Sequence, residues 1–474
     1  MSTSTSFDCL DYRLADNGVA YIRIDVPDRP VNVLTPELHA ALGQIANYLA
    51  GDAGAKGAVV HSGKSSFLAG GDLNRIVRYY DMNRSALEAY QQSRTYTESL
   101  RKLETCGKPV AVAVNGPALG GGLELMLACH YRVVLDDESV QLGLPEVTIG
   151  LLPGGGGTQR LPRLIGLERA ADLILSGRRI GAPEALELGI ADRLASAETL
   201  LSAAEQWVLA AQHAQQPWDR KGFRIPGGSG LNDMRVGALF QRLTARVSAD
   251  YRHNYPAPIA ALRCLFNGTT VQSMDEALRI ETREFSALTR DPVARNMIRT
   301  LFIHRGKSRR EEILAAEGAR EVKERCQQAY QAQGLAMARS GIKPALIENA
   351  AFAAGLDQGP LALAGADLDP FRGNDRQVDA AAVGSALLSA QSLAAAECWE
   401  RGVSDPVQAD LASVLGWGFP SYTGGVMSYI DTMGLPAFID RCEDLSSTTG
   451  VRLSPSPWLR AKAMANERIY PPAT

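Results

Sequence analysis

Residues 18–26, GVAYIRIDV, alternate apolar and polar side chains, the pattern of a half-buried strand. Asp28 to Pro30 turns the chain. Thr35 and Pro36 then open an amphipathic helix as cap and first-turn residue, running to about Ala50 and ending at Gly51 or Gly54. GAVVHSG (57–63) reads as a short strand, and residues 73–103 carry helical periodicity. PVAVAVNG (109–116) is apolar at nearly every position, so it predicts a strand buried on both faces. Further helices are predicted over 168–176, within 177–195 and over 196–215. The Pro/Gly/Ser-dense stretch 217–232 reads as a loop or boundary. From Asp233 onward the pattern is helical almost throughout. The basic run 305–310 is predicted as a hinge, and a long helix is predicted from Glu311. Beyond it lies a weak repeat: Gly341, Asn349 and Gly355 have counterparts in Gly402, Asp410 and Gly416, with Pro360 and Pro420 following.

At 474 residues the chain is too long for one compact core. A net charge of −3 gives no electrostatic footprint for nucleic acid or anionic lipid. The seven cysteines form no CxxC pair, which reads as reduced thiols in a cytosol-like compartment; the expected location is cytoplasmic. The N-terminal residues lack the pattern of a signal or transit peptide, and no uncharged apolar run reaches the length of a membrane span. The six histidines show no metal-ligand spacing, so no metal is expected.

Candidate chemistry concentrates between Pro109 and Gly166. Gly120, Gly121 and Gly122 open a helix in which Glu124 stands close to one turn beyond Gly121. Backbone N–H groups at a helix start are fixed in direction and aided by the helix dipole, so Gly121 is placed to hold a developing oxyanion. The small-residue loop Ala69, Gly70, Gly71 and Asp72 can bring a second donor from Gly71. Glu146, after Pro145, comes from a separate segment. If the two acids meet, their like charges drive their proton affinities apart, one ionised and one protonated. Such a pair suits the addition of water across a conjugated double bond. The Gly154–Gly157 run has no Lys-Ser/Thr after it and no dinucleotide-site context, so it is no phosphate loop. Cys106, Cys129, His130, Tyr79 and Tyr80 read as packing or surface residues.

HSGKSSFLAGGDL (61–73), AVNGPALGGGLELMLACHYRV (113–133) and GLPEVTIGLLPGGGGTQRLPRLIG (143–166), in that order, resemble the enoyl-CoA hydratase/isomerase (crotonase) family. The resemblance implies an α/β fold, a spiral of β-β-α turns over residues 1–195, acting on an acyl-CoA thioester. It implies an oxyanion hole from Gly71 and Gly121 and a catalytic pair in Glu124 and Glu146. It also implies CoA contacts along Leu68, Ala69 and Gly70. HNYPAP (253–258), residues 276–302, GLDQGPLAL (355–363), residues 400–434 and NERIYPP (466–472) are similar to the multifunctional hydratase/dehydrogenases of fatty-acid β-oxidation. That likeness implies a helical linker over 196–310 and a duplicated all-α domain over 311–474, resembling the 3-hydroxyacyl-CoA dehydrogenase C-terminal domain.

One departure matters. Between Arg310 and Glu311 the multifunctional enzymes would carry an NAD-binding Rossmann domain, with its glycine fingerprint and catalytic His and Glu; here there is none. No NAD site and no cofactor are therefore expected, and the C-terminal domain is expected to cover the hydratase part. Hydration of trans-2-enoyl-CoA is the leading expectation. A double-bond isomerase, a hydratase-lyase on an aromatic acyl-CoA and a non-catalytic subunit of a β-oxidation complex stand as alternatives. Self-association or association with other β-oxidation enzymes is implied with it; nucleic acid and membrane partners are not.

Overall fold

The computed structural model describes residues 4–211, 215–230, 233–306 and 308–471. His213, Leu231, Asn232, Lys307 and Pro472 lie outside them. Contacts divide the chain into two compact units. The first comprises residues up to Asp72, Asn83–Val247 and Pro256–Arg290; the second comprises Leu73–Met82, Ser248–Tyr255 and Asp291 onward. The region 196–310 is thus divided between them, with 248–255 and 291–310 in the second.

The first unit is built on strands β1 (Ser4–Phe7), β2 (Leu10–Leu14), β3 (Val19–Ile24), β4 (Gly57–Ser62), β5 (Val110–Val114), β6 (Ala118–Leu119), β7 (Tyr131–Leu135), β8 (Leu142–Gly143), β9 (Arg179–Ile180) and β10 (Arg193–Ala195). Seven form one sheet in the order β1-β2-β3-β4-β5-β7-β10. It is antiparallel from β1 to β3 and parallel from β3 onward. All five residues of β5 are buried, as its unbroken apolar sequence requires. The other three strands make a small sheet, β6-β8-β9.

Helices α1 (Pro36–Gly51), α2 (Leu73–Asp81), α3 (Ala86–Glu104), α4 (Gly121–Ala128), α5 (Gly157–Ile165), α6 (Leu167–Ser176), α7 (Ala182–Leu188), α8 (Leu200–Ala210), α9 (Met234–Tyr251), α10 (Pro256–Thr270) and α11 (Met274–Leu288) follow in chain order. The Thr35 side chain accepts from the Leu38 N–H at the start of α1, so cap and helix end both match the sequence pattern. The helical periodicity over 73–103 is realised as two helices, α2 and α3. Asn83 takes a left-handed conformation, and Ser85 with Glu88 forms a capping box that restarts the helix as α3.

The second unit contains α12 (Pro292–Ile298), α13 (Arg310–Ala315), α14 (Glu317–Arg339), α15 (Pro344–Ala353), α16 (Pro360–Leu363), α17 (Ala380–Glu400), α18 (Pro406–Gly416), α19 (Val426–Met433), α20 (Leu435–Thr449) and α21 (Pro457–Met464). The long helix predicted from Glu311 starts at Glu317, because Ala316 is extended and separates it from α13. The repeat takes physical form. Each of α14 and α17 is a long helix followed by a left-handed glycine, Gly341 or Gly402, then a shorter helix opening on a proline. The second glycine of the later copy is Gly418, not Gly416: Gly418 has φ +77°, whereas Gly416 is still helical. Residues from Val322 to Tyr470 share one apolar core.

Asp410, fully buried on α18, anchors this unit. It accepts from the Met427 and Ser428 N–H groups at the start of α19, from the Ser428 hydroxyl, and from the Tyr470 hydroxyl at 2.7 Å. Burial pushes its carboxyl up to about 6, against those donors and Arg299. Among the described residues no helix is long and apolar enough to cross a membrane. Asp410→Ala is expected to lower stability by about 2–3 kcal/mol, the range for buried hydrogen bonds to a charged group. Hydrogen exchange should accelerate first at the Met427 and Ser428 amides; unchanged protection there would contradict the anchoring role.

Candidate active site

Three segments lie side by side because their backbones pair in sequence. Leu34 bridges Gly71, Leu68 bridges Ala118, and Leu119 on β6 pairs with Gly143 on β8. The Gly120 N–H continues that ladder to the Gly143 oxygen at 2.8 Å. Buried Asn32 ties the first loop down: it accepts from Val26 and donates to Ile24 O, Ser62 Oγ and Phe67 O. The β6-β8 register therefore sets the start of α4 against the turn that carries Glu146.

Gly120 sits at φ +55°, open mainly to glycine. A Cβ there would lie 2.6 Å from Glu146 Oε1 and 3.8 Å from the Gly70 Cα, so the glycine loops and Glu146 are immediate neighbours. Among the described residues neither the Gly71 nor the Gly121 N–H donates to a protein acceptor. The Gly121 carbonyl, in contrast, is held by the Tyr96 hydroxyl at 2.5 Å. Of the loop residues expected along CoA, Ala69 is exposed and Gly70 is buried at φ +90°. Leu68 is fully buried, its N–H and C=O paired with Pro117 and Leu119. Leu68 therefore holds the loop in place by its backbone.

Glu124, in the first turn of α4, is 2% exposed. Its Oε1 accepts from the Gly155 N–H at 2.6 Å and the Gly157 N–H at 2.8 Å. Burial pushes its carboxyl up to about 7, against the pull of those two N–H groups and Arg160. Glu146 lies in a 3-10 turn, Pro145–Ile149. The residue is half-buried, yet its Oε2 is out of contact with solvent and has no hydrogen-bond partner among the described residues. Burial first, then the Glu124 charge, raises its proton affinity well above the carboxylate range. The two glutamates lie close enough for the Glu124 charge to act on Glu146.

A third carboxylate joins them. Glu281, on α11, accepts from the Gly156 N–H at 2.5 Å, the Thr158 N–H at 2.9 Å and the Thr158 hydroxyl at 2.5 Å. It is fully buried, and burial followed by Glu124 pushes its carboxyl up to about 8. The Gly154–Gly157 run, which offers nothing to phosphate by its sequence, thus binds the chain's own carboxylates on alternate N–H groups. Tyr96 and Glu281 were not singled out by sequence. Tyr96 sits one helix away from the glycines, and the α11 pattern is that of any amphipathic helix. Cys129 is buried, and His130 bridges the Val110 N–H and the Glu104 carbonyl, both structural placements. Among the described residues no group of three or more His, Cys, Asp or Glu side chains could hold a metal ion.

Residues 15–219 match the family model described as enoyl-CoA hydratase/isomerase. The chain is 30% identical to a putative enoyl-CoA hydratase of Rhodopseudomonas palustris, covering 44% of this chain and 79% of that one (TM-score 0.38). Over residues 15–219 the chain belongs to the enoyl-CoA hydratase/isomerase family. An enoyl-CoA hydratase of Bacillus anthracis is 27% identical, covering 55% of this chain and 90% of that one (TM-score 0.39). Among curated relatives, a fatty acid oxidation complex subunit alpha of Shewanella loihica is 37% identical over 275 residues, 58% of this chain and 38% of its own length. The protein of that name from Shewanella baltica is 35% identical over 311 residues, 64% of this chain. The chain spans about two-fifths of these relatives' length, 38% and 42%. The α/β unit is accordingly crotonase-like, and it is followed by the large helical region.

Under this crotonase site lies a wholly buried ion pair. Arg160 donates from Nε and Nη2 to the two oxygens of Glu104, both at 3.0 Å, and from Nη1 to the Gly155 carbonyl at 2.7 Å. Arg101 and the Trp218 indole complete the Glu104 shell. The pair fixes the loop that holds Glu124, and its Arg160 cation favours the ionised form of Glu124. Glu104→Ala leaves Arg160 buried and unpaired, so denaturant titration should show a loss of about 3–5 kcal/mol. Glu104→Leu combined with Arg160→Met should recover part of it; a double variant no better than Glu104→Ala would contradict the account.

Proposed function

We propose that the chain hydrates trans-2-enoyl-CoA thioesters to 3-hydroxyacyl-CoA. The observation that carries the reading is the pair of neighbouring glutamates, Glu124 buried and Glu146 with one buried unpartnered oxygen, beside two unengaged glycine N–H groups. Glu124, anchored on one oxygen by two N–H groups and near Arg160, is the member that ionises more readily. Its Oε2 is the base toward water. Glu146, with an unpartnered buried oxygen, is the member that keeps its proton.

In the reaction, Glu124 takes a proton from water as the oxygen bonds to C3 of the enoyl thioester. The C2–C3 π electrons move toward the thioester oxygen, where the Gly71 and Gly121 N–H groups receive the developing charge. Glu146 then delivers its proton to C2, and the pair returns to its starting state by passing a proton from Glu124 to Glu146. Water is the only co-reactant, and no electrons leave the system. No cofactor takes part in this scheme. A cytoplasmic location and association with other enzymes of β-oxidation belong to the same reading, the latter supported by relatives named as subunits of a fatty acid oxidation complex.

Turnover is followed as loss of the ultraviolet absorbance of the conjugated thioester. Glu124→Gln and Glu146→Gln should each lower kcat by about 10²- to 10⁴-fold, the usual contribution of a positioned acid or base. A base must be ionised to act, so kcat should fall as pH drops through about 7, where Glu124 takes up its proton. Glutamine variants within a few-fold of wild type, or 3-enoyl-CoA isomerisation without hydration, would sink the assignment. Incubation with 3-hydroxyacyl-CoA and NAD⁺ should give no NADH, since no stretch carries the glycine fingerprint of a dinucleotide site; robust NADH formation would refute that part.

A further inference from the structure

We propose that Glu281 is a positioning residue for Glu124: it clamps the Gly154–Thr158 loop so that the Gly155 and Gly157 N–H groups stay aimed at the Glu124 carboxylate. The inference rests on the hydratase reading for its kinetic test, and on geometry alone for its ground. Glu281 lies outside the segment that matches the family model, which ends at residue 219.

The loop has four successive N–H donors from Gly155 to Thr158, and they divide strictly. Gly155 and Gly157 serve Glu124; Gly156 and Thr158 serve Glu281. Gly156, at φ +106°, makes this alternation possible. A loop pinned from two sides cannot turn its N–H groups away from either acid without losing a bond to the other. The Thr158 hydroxyl, which also accepts from Gln159 Nε2 at 2.9 Å, fixes the far oxygen of Glu281 at 2.5 Å. Gln159 in turn donates to the Cys264 carbonyl on α10 at 3.0 Å, so the clamp is tied to both helices of the α10–α11 pair.

The ionisable groups around Glu281 are Glu124 on α4, Glu146 on its 3-10 turn, Arg160 and Arg163 on α5, and Cys264 on α10. Glu124 ionises before Glu281 in this set, because burial and the Glu124 charge together hold the Glu281 proton. Near neutral pH the clamp is then a neutral acid. Its Oε1 receives the Gly156 N–H, and its Oε2 receives the Thr158 N–H and the Thr158 hydroxyl. An amide keeps the Gly156 bond through its oxygen but sets its NH2 against the Thr158 N–H; a methyl group can reproduce neither contact.

The two possible roles give opposite signs. Loss of a clamp frees the two N–H groups that favour ionised Glu124, so its proton affinity rises and the acid limb of kcat moves to higher pH. Loss of a mere negative charge would move that limb to lower pH. Glu281→Ala in the full chain should lower kcat by about 10²-fold, as for a small misplacement of a catalytic group, with KM changed less than about three-fold. The acid limb should rise by about one pH unit, a modest environmental shift. Glu281→Gln, which keeps one of the two backbone bonds, should fall between wild type and Glu281→Ala. Far-UV circular dichroism and the thermal midpoint check the fold. If Glu281→Ala does not fold, Thr158→Val is the deciding variant, with the same direction of limb shift.

The same coupling is read without turnover from ¹³C-carboxyl NMR titration of Glu124, assigned with Glu124→Gln. A wild type inactive on every enoyl-CoA fails the hydratase reading, and the NMR titration then decides the clamp by itself. A Glu124 midpoint that stays put or falls in Glu281→Ala overturns the proposal, as does a kcat within two-fold of wild type.

Discussion

Four consecutive backbone N–H groups shared between two buried carboxylates are what the rest of the site depends on. Each carboxylate taken from water carries a desolvation cost of several kcal/mol unless donors replace the lost solvent. The Gly155–Thr158 N–H groups are those donors, and they cannot rotate away as side-chain hydroxyls could. Glycine is required because a Cβ on Gly155 would lie 2.4 Å from the Tyr96 ring and 2.6 Å from Glu124 Oε2. On Gly156 it would meet the Arg160 guanidinium at 1.9 Å. The run GGGG is thus fixed by what must fit against it: the Phe285 and Tyr96 rings, the Glu124 carboxylate and the buried Arg160 cation.

Unequal provision of donors explains how three acids in one place divide their protons. Glu124 has two N–H groups on one oxygen and a nearby guanidinium, yet keeps its other oxygen free. Glu281 has both oxygens occupied but shares the field of Glu124. Glu146 has no donor on its buried Oε2 and feels both neighbours. The order of ionisation follows from hydrogen bonds and position, with no difference in residue type to help. The same logic operates in the helical unit, where Asp410 collects donors from α19 and Tyr470 and stays the most deeply embedded acid there.

Much of this was legible from residues. The unbroken apolar β5, the Thr35-Pro36 helix start and the pairing of Gly121 with Glu124 all follow from local rules, because both partners sit within a turn or a strand of one another. The approach of Glu146 was anticipated from the motifs, but its cause, the two-residue β6-β8 ladder, is too short to leave a periodic signal. The break at Asn83 was present as Ser85-x-x-Glu88, a capping signature lying inside a run whose periodicity hides it. The shift from Gly416 to Gly418 shows how a spacing match can pick the wrong glycine when one copy's helix is a residue longer. Glu281 was invisible for a different reason. It lies 123 to 125 residues from its partners, and a buried glutamate on an amphipathic helix carries no local mark.

That last case bears on where the catalytic unit ends. By motif, the crotonase part closes near residue 195; by hydrogen bonding, it does not. The α10–α11 pair contributes Glu281, the Cys264 carbonyl under Gln159, and the Phe285 ring packed within 2.6 Å of where a Gly154 side chain would begin. Arg163 reaches the same layer, donating to the Gly268 carbonyl at 2.8 Å. The polar contacts among these are buried, and removing the α10–α11 pair would take the Glu281 acceptors from the Gly156 and Thr158 N–H groups of the loop that holds Glu124. A chain cut after α8 would keep every residue that the family motifs name and still lack half the acceptors of that loop. The backbone donors of the loop that holds Glu124 are therefore satisfied only by chain that runs through α11, beyond the extent of the motifs.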